Sequence, residues 1–300
     1  MDRPVVQELV GGRLHLQHGP IDIVLEAWGA PADRAAAYDA AIRRFRNILG
    51  ELVAELGELR KPMSERPRLR SPVGRRMAAA CQPFADVFIT PMAAVAGAVA
   101  DEIKSAMLTA APLDRLYVND GGDIAVHLAA GESMALGIAG DFLRGPQPRI
   151  NGTILLTAAM GIGGIATSGW QGRSFSLGIA DSVTVLAADA AAADAAATLI
   201  ANAVDIDSCQ ISRCPAIELD PDTDLGHRLV TVGVGPLSRS EIAAGLAAGA
   251  RVAECFRKRG LITGAALMLQ GEARTLGMPL ARLPAAVATK VAFTARRAVP

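Results

Sequence analysis

Two periods organise the chain. Alternation predicts strands at Leu14–Gln17 and Ile21–Ala27, split by the turn His18-Gly19-Pro20. Helical spacing of Ile42, Phe45, Leu49, Leu52, Val53 and Leu56, with Pro31 near the start, predicts an amphipathic helix over Ala32–Leu56. Pro91–Leu108 reads as a helix of small residues, Ala93, Ala94, Ala96, Gly97, Ala98 and Ala100. Such a helix can approach another backbone closely, so it is expected to be buried. Leu116–Val118, Ile124–Leu128 and Met134–Ile138 read as short strands joined by glycine turns in an antiparallel meander. Thr153–Thr157, Ser182–Ala187 and Leu229–Val234 read as further strands, and Ala190–Ala203 as a helix. Ser238–Arg259 has the signals of a capped helix: Ser238 at its start, Glu241 in its first turn, and Gly260 after Arg257, Lys258 and Arg259. Ile262–Gln270 reads as a last strand, and the stretch after Pro284 has no assigned element. Runs of strands with helices between them predict an α+β fold rather than a βαβ alternation. The length allows one large domain over residues 1–300 or two intertwined lobes.

Composition narrows the function. Of 300 residues, 51% are hydrophobic and 20% charged, enough for a sizeable core. Aromatics make up only 4%, against 30 glycines, so close backbone packing is expected in place of a ring-filled core. The 30 basic and 30 acidic residues cancel, so no global field draws nucleic acid or an anionic membrane. One basic run stands out between Arg60 and Arg76, with Lys61, Arg66, Arg68, Arg70 and Arg75 in it. Its prolines, Pro62, Pro67 and Pro72, make it a loop; a solvated loop is the plainer reading and an anion-binding loop the other. The start MDRPVVQELVGG has no signal-peptide pattern. Met92–Ala100 is too short to span a bilayer and is followed by Asp101, Glu102 and Lys104. A cytoplasmic protein is expected. Cys81, Cys209, Cys214 and Cys255 form no usual zinc or redox spacing and read as idle thiols. His15, His18, His127 and His227 form no zinc pair, and no G-x-S-x-G elbow occurs.

Three segments remain that could carry chemistry. In Asn119-Asp120-Gly121-Gly122-Asp123-Ile124, two glycines let a ligand approach the backbone, and Asn119, Asp120 and Asp123 offer polar atoms. The alternative is an ordinary hairpin. In Gly161–Gly169, followed by Gly172-Arg173-Ser174, glycine-turn amides could cradle phosphate; Thr167, Ser168 and Ser174 add hydroxyls and Arg173 a charge-assisted contact. The alternative is a flexible glycine loop. Asp194 and Thr198, one turn apart in an alanine helix, suit a hard cation such as magnesium; the alternative is a solvated aspartate. Asp181 lies nearby in sequence as a base or second anchor.

Together these motifs resemble the ApbE-like superfamily, whose best-known members are FAD:protein FMN transferases. The carriers are Asn119-Asp120-Gly121-Gly122-Asp123-Ile124, Ala166-Thr167-Ser168-Gly169, Ser182-Val183-Thr184-Val185 and Ala193-Asp194-Ala195-Ala196-Ala197-Thr198, over roughly residues 90–205. The resemblance implies an ApbE-type α+β fold with a nucleotide pocket between lobes. It implies a flavin such as FAD, cradled by Asn119, Gly121, Gly122, Asp123, Thr167, Ser168, Gly169 and Ser174. It also implies Mg2+ held by Asp194 and Thr198, with a backbone carbonyl near Val95. The chain resembles a short, cytoplasmic branch of the superfamily. Two departures stand out. Val95-Ala96-Gly97 lacks the transferases' Ala-Lys-Gly lysine, and Gly178 stands where their acceptor-activating histidine would be.

Three functions follow. The chain is a magnesium-dependent flavin or nucleotide transferase or hydrolase, with Asp181 as substitute base and Arg173 as clamp. Or it is a binding or accessory module that keeps the pocket without the transfer. Or it is an enzyme on a non-flavin substrate. The expected partner is a small nucleotide or flavin, with no nucleic acid and no membrane; a homodimer stays open.

Overall fold

A computed structural model describes residues 3–141, 149–278 and 280–281. The stretch after Pro284, left without an element, lies outside the described residues. The chain opens with three strands, β1 (Val5–Leu9), β2 (Arg13–His18) and β3 (Ile21–Trp28). Four helices follow: α1 (Pro31–Ala54), α2 (Leu56–Leu59), α3 (Pro72–Cys81) and α4 (Val95–Ala110). The middle holds β4 (Arg115–Asp120), β5 (Asp123–Leu128), β6 (Ser133–Asp141), β7 (Arg149–Thr157), β8 (Gly164–Ser168), β9 (Ser182–Ala187) and α5 (Ala190–Ala203). The last part holds β10 (Ile211–Pro215), α6 (Ala216–Leu219), β11 (Leu229–Val234), α7 (Arg239–Lys258), β12 (Gly264–Leu269), β13 (Glu272–Leu276) and β14 (Leu280–Ala281).

Nine strands form one sheet in the order β1-β2-β3-β4-β5-β8-β9-β12-β13, and every adjacent pair is antiparallel. A second sheet runs β14-β7-β6 and a third pairs β10 with β11. Segregated antiparallel sheets and helices make the fold α+β. Alternation in the strands sends side chains to two faces. Leu14, Leu16, Ile23, Leu25, Leu116, Val118, Ala166, Val183 and Val185 join the core under the helices. Val126, Ile165 and Leu186 face the other way and pack with Met134, Ile154 and Leu156 of the β6–β7 sheet.

The helical layer is held close by small residues. A Cβ on Gly97 of α4 would lie 2.2 Å from the Ala190 carbonyl oxygen, so only glycine lets α4 reach the start of α5. Ions add ties. Arg44 of α1 holds Glu51 with two bonds of 2.9 and 2.7 Å and reaches Glu102 of α4 at 2.8 Å. Arg76 of α3 meets the other Glu102 oxygen at 2.9 Å.

Three sequence expectations change. The basic loop ends early, because α3 starts at Pro72: the Ser71 hydroxyl accepts the Gly74 N–H at 3.0 Å, and proline suits a first helical position. The meander is broken: β6 pairs with β7, and β5 takes β8 as its second neighbour. The glycine segment is not all turn. Gly164–Ser168 is a strand hydrogen-bonded to β9, because Gly164 lies too close to the Asp189–Ala190 backbone for any Cβ.

Candidate functional site

The β4–β5 hairpin turns on Gly121 and Gly122, at φ 64° and 118°, and Asn119 fixes it by accepting the Gly122 N–H at 2.9 Å. Pairing sets Asp120 opposite Asp123. Asp120 is buried, and its carboxylate accepts the Asp22 N–H at 3.2 Å. Asp123 is half-buried and accepts the Thr167 N–H at 3.2 Å. The Thr167 hydroxyl meets that of Thr184 at 2.9 Å. Asp194, half-buried on α5, reaches the start of α4, where it accepts the Gly97 N–H at 3.1 Å and is also bonded by Ala96 N–H. Val95, the first residue of α4, is thereby brought next to Asp194.

These three acids repel one another. Burial pushes Asp120 up to about 8, and the Asp123 charge adds to it. Burial pushes Asp194 up to about 7, with Asp120 adding to the rise. Asp123 is raised well above the usual range, by burial first and then by Asp194. Arg173 offsets the rise at Asp120 alone. Its Nη2 donates to the Pro20 carbonyl at 2.8 Å, and its Nη1 lies 3.2 Å from where a Gly121 Cβ would stand. The guanidinium thus bridges the β2–β3 and β4–β5 turns.

The other expected site residues spread out. Thr198 sits one helical turn beyond Asp194 and is half-buried. Ser168 pairs with Val183 in the ladder, and Gly169 packs against the Asp181 carbonyl, 2.3 Å from a notional Cβ. Ser174 is exposed. Asp181 accepts the Gln270 N–H at the β12–β13 turn. It lies three residues before Thr184, about 10 Å along an extended strand. Gly178 is pressed on the end of α5: a Cβ there would be 2.1 Å from the Ala201 carbonyl oxygen and 2.9 Å from those of Asn202 and Val204. No histidine fits without displacing that backbone. Two clefts occur elsewhere, about 680 Å³ beside His18, Arg46 and Glu51, and about 330 Å³ beside Pro72, Arg75 and Arg76; none of the three aspartates lines either.

Two residues were undervalued in the sequence. Asp120 was only a polar atom at a turn, although it shares a strand face with Leu116 and Val118. Asp101, buried on α4, accepts the Ala191 N–H at 2.9 Å and pairs with Lys104 at 2.7 Å. Cys81 is buried, and burial raises its thiol, in keeping with an idle side chain.

Among the described residues no three His, Cys, Asp or Glu side chains are grouped to hold a metal. Magnesium makes no such demand: it keeps waters and takes one or two carboxylates. The Asp194 carboxylate and the Thr198 hydroxyl, one turn apart on α5, are oxygen donors of that kind.

The chain matches the family described as AbpE bacteria over residues 6–275, and it belongs to that family. It is 36% identical over 160 residues to a UPF0280 protein of Methanothrix thermoacetophila, covering 53% of this chain and 62% of that one. It is 35% identical over 150 residues to a UPF0280 protein of Methanopyrus kandleri, covering 50% and 56%. The chain therefore spans less than two thirds of the length of these curated relatives. A crystal structure of the ApbE protein from Thermotoga maritima aligns with TM-score 0.44 and 14% identity over 90% of this chain and 96% of that one. No helix among the described residues is long and apolar enough to cross a membrane.

Proposed function

We infer that the region of the β4–β5 turn and Asp194 binds Mg2+ together with a phosphorylated small molecule. For an ApbE-like chain the best candidate is a nucleotide or flavin, FAD first. The observation that carries this reading is geometric: Arg173 lies against the Gly121–Gly122 turn, Asp123 of that hairpin is bonded to Thr167, and Asp194, one helical turn from Thr198, reaches the start of α4, with the three acids raising one another. A divalent ion relieves that repulsion and offers charge to phosphate oxygens. Asp194, Thr198 and the Val95 carbonyl would hold it. Arg173 would clamp a phosphate, and the glycine turn Gly121–Gly122, with Asn119, Asp123, Thr167, Ser168, Gly169 and Ser174, would form the cradle.

Two outcomes for the bound ligand are supported to different degrees. Transfer or cleavage of a phosphate bond needs a base within reach of the proton it removes. Asp181, the substitute base, is engaged by the Gln270 N–H, and Gly178 leaves no room for a histidine. These two facts favour the second reading, a cofactor-binding or accessory protein that holds the ligand without the transfer. Cytoplasmic placement and a second copy as partner remain part of the reading.

Titration calorimetry with Mg2+, with FAD, and with both tests the site. Coupled binding, lost in Asp194→Asn, is expected. Absence of heat in all three titrations overturns the assignment. Incubation with FAD and Mg2+, followed by assay for FMN and AMP, separates transfer from binding.

A further inference from the structure

The arginine run picked out in the sequence has an arrangement that the site above does not use. After Met63–Glu65 the backbone takes a left-handed step at Arg66, at φ 55°, and then runs to Arg70 outside any helix or strand, with burial alternating residue by residue. Arg66, Arg68 and Arg70 are exposed, while Pro67 and Leu69 are half-buried between them and Leu69 packs on the core. Alternation therefore sets three guanidinium groups on the outer side, about 7 Å apart along the chain.

Glu55 and Glu58 lie near enough to feel the charges of Arg70 and Arg68, but their oxygens are spent on other donors. Glu58 accepts the Arg68 main-chain N–H at 2.8 Å, and its other oxygen meets Lys61. Glu55 accepts the main-chain N–H groups of Arg70 and Ser71 at 2.6 and 3.1 Å and the Ser71 hydroxyl at 2.8 Å. The carboxylates thus hold the backbone straight. Hydrogen bonds to them lower both acids: Ser71 and Arg70 on Glu55, though burial opposes, and Arg68 and Lys61 on Glu58. Both stay charged through the neutral range. Arg66, Arg68, Arg70 and Arg75 make no ion pair within 4.0 Å among the described residues. Arg75 donates to the Arg70 carbonyl, which joins the row to the cleft of about 330 Å³ lined by Pro72, Arg75, Arg76 and Ala79.

We propose that this row, Arg66, Arg68, Arg70 and Arg75, is a docking surface for an extended acidic segment of a protein partner. Each guanidinium offers a planar fork that matches a carboxylate. Extended acidic residues at alternate positions would meet the row one for one. Nucleic acid is the poorer occupant, because no aromatic ring stands in the row to stack a base. A membrane is poorer too, because Leu69 turns inward and leaves no apolar side chain to insert. With a net charge of zero the chain as a whole does not attract an acidic partner, so the attraction must come from a local arrangement of this kind.

Fluorescence anisotropy of the full chain with a labelled peptide of alternating Glu and Ser tests the proposal. Expected is binding that weakens as salt is raised, and that falls about tenfold in R66E/R68E/R70E, the sum of three exposed pairs. The charge-matched variant R43E/R239E/R251E, altered on other exposed arginines, should bind as the parent does. Thermal melts confirm that both variants fold. Equal loss in both variants, no salt-sensitive binding, or tighter binding of a single-stranded oligonucleotide or of anionic phosphatidylserine vesicles would overturn it.

Discussion

Asp101 and Asp194 cap each other's helices. Asp194 of α5 accepts the Gly97 N–H in the first turn of α4, and Asp101 of α4 accepts the Ala191 N–H in the first turn of α5. The start of α4 has no side-chain cap of its own, since Ala94 precedes it. α5 adds Asp189, which accepts the Ala192 N–H at 2.7 Å. Each carboxylate meets unpaired N–H groups and the positive end of a helix dipole. The reciprocity fixes the two helices end to middle, with Asp194 close enough to Asp120 and Asp123 for their charges to act on one another.

This double duty separates two substitutions. Asp194→Asn keeps an oxygen for the Gly97 N–H but removes a repelled charge, so it should match or exceed the parent in stability without Mg2+. Asp194→Ala loses the cap and should cost about 1 kcal/mol. Urea denaturation of both variants decides. Greater damage from Asn than from Ala would deny the capping role.

Asp101→Ala should be more severe. It strips a cap from α5 and leaves Lys104 without its buried partner, at a cost of about 3 kcal/mol. Thermal unfolding of the variant, with Lys104→Met added to remove the stranded charge, should recover part of the loss. No recovery would show that the pair is not the cause.

Stability should fall as pH rises through the neutral range. The three acids are raised in the folded chain, so it holds their protons more tightly than the unfolded chain does. Their contribution is complete below the ordinary carboxylate range near 4 and disappears as pH passes about 7 to 8. Mg2+ should act oppositely, raising the melting temperature more at pH 8.5 than at pH 5, since it competes with protons. A flat melting profile, or an Mg2+ effect larger in acid, would contradict the cluster.

Arg173→Ala should leave folding nearly untouched, within about 0.5 kcal/mol, because the side chain is exposed. Affinity for FAD with Mg2+ should drop about tenfold, the scale of one charge-assisted phosphate contact. Calorimetry on parent and variant reads both quantities. Unchanged affinity would remove Arg173 from the site.

Gly178→Ala tests the remodelled segment. Its methyl would meet the Ala201 carbonyl at 2.1 Å, so about 3 kcal/mol of overpacking is expected. Denaturant titration checks it. A neutral alanine there would mean that the α5 end has room for a larger group.

Much of this architecture was legible in the residues. Ser182–Ala187, Ala190–Ala203 and Leu229–Val234 emerge with the bounds their patterns predict, because each is flanked by an abrupt change of period. The capping box at Ser238 and Glu241 is present. β8 was hidden by the glycines at its start, of which Gly164 serves close approach to Asp189 and Ala190 rather than a turn. α3 was hidden by the arginines around it, although Ser71-Pro72 is itself a start signal. The acid cluster was only half visible. Asp123 and Asp194 stood out by motif, whereas Asp120 joins them only once the strand partners are known, and Asp101 declared nothing in a run of charged residues.

The alanine face of α5 has a further consequence. Ala190, Ala193, Ala195, Ala196 and Ala197 are buried, so the first two turns of this helix present only methyl groups to the core. Alanine has no rotamers with which to absorb error there. Hydrogen exchange of α5 amides should therefore be among the slowest in the molecule. A single added methylene on that face should shift the carboxyl of Asp194 with the helix, so a larger residue there is expected to weaken Mg2+ binding as well as stability.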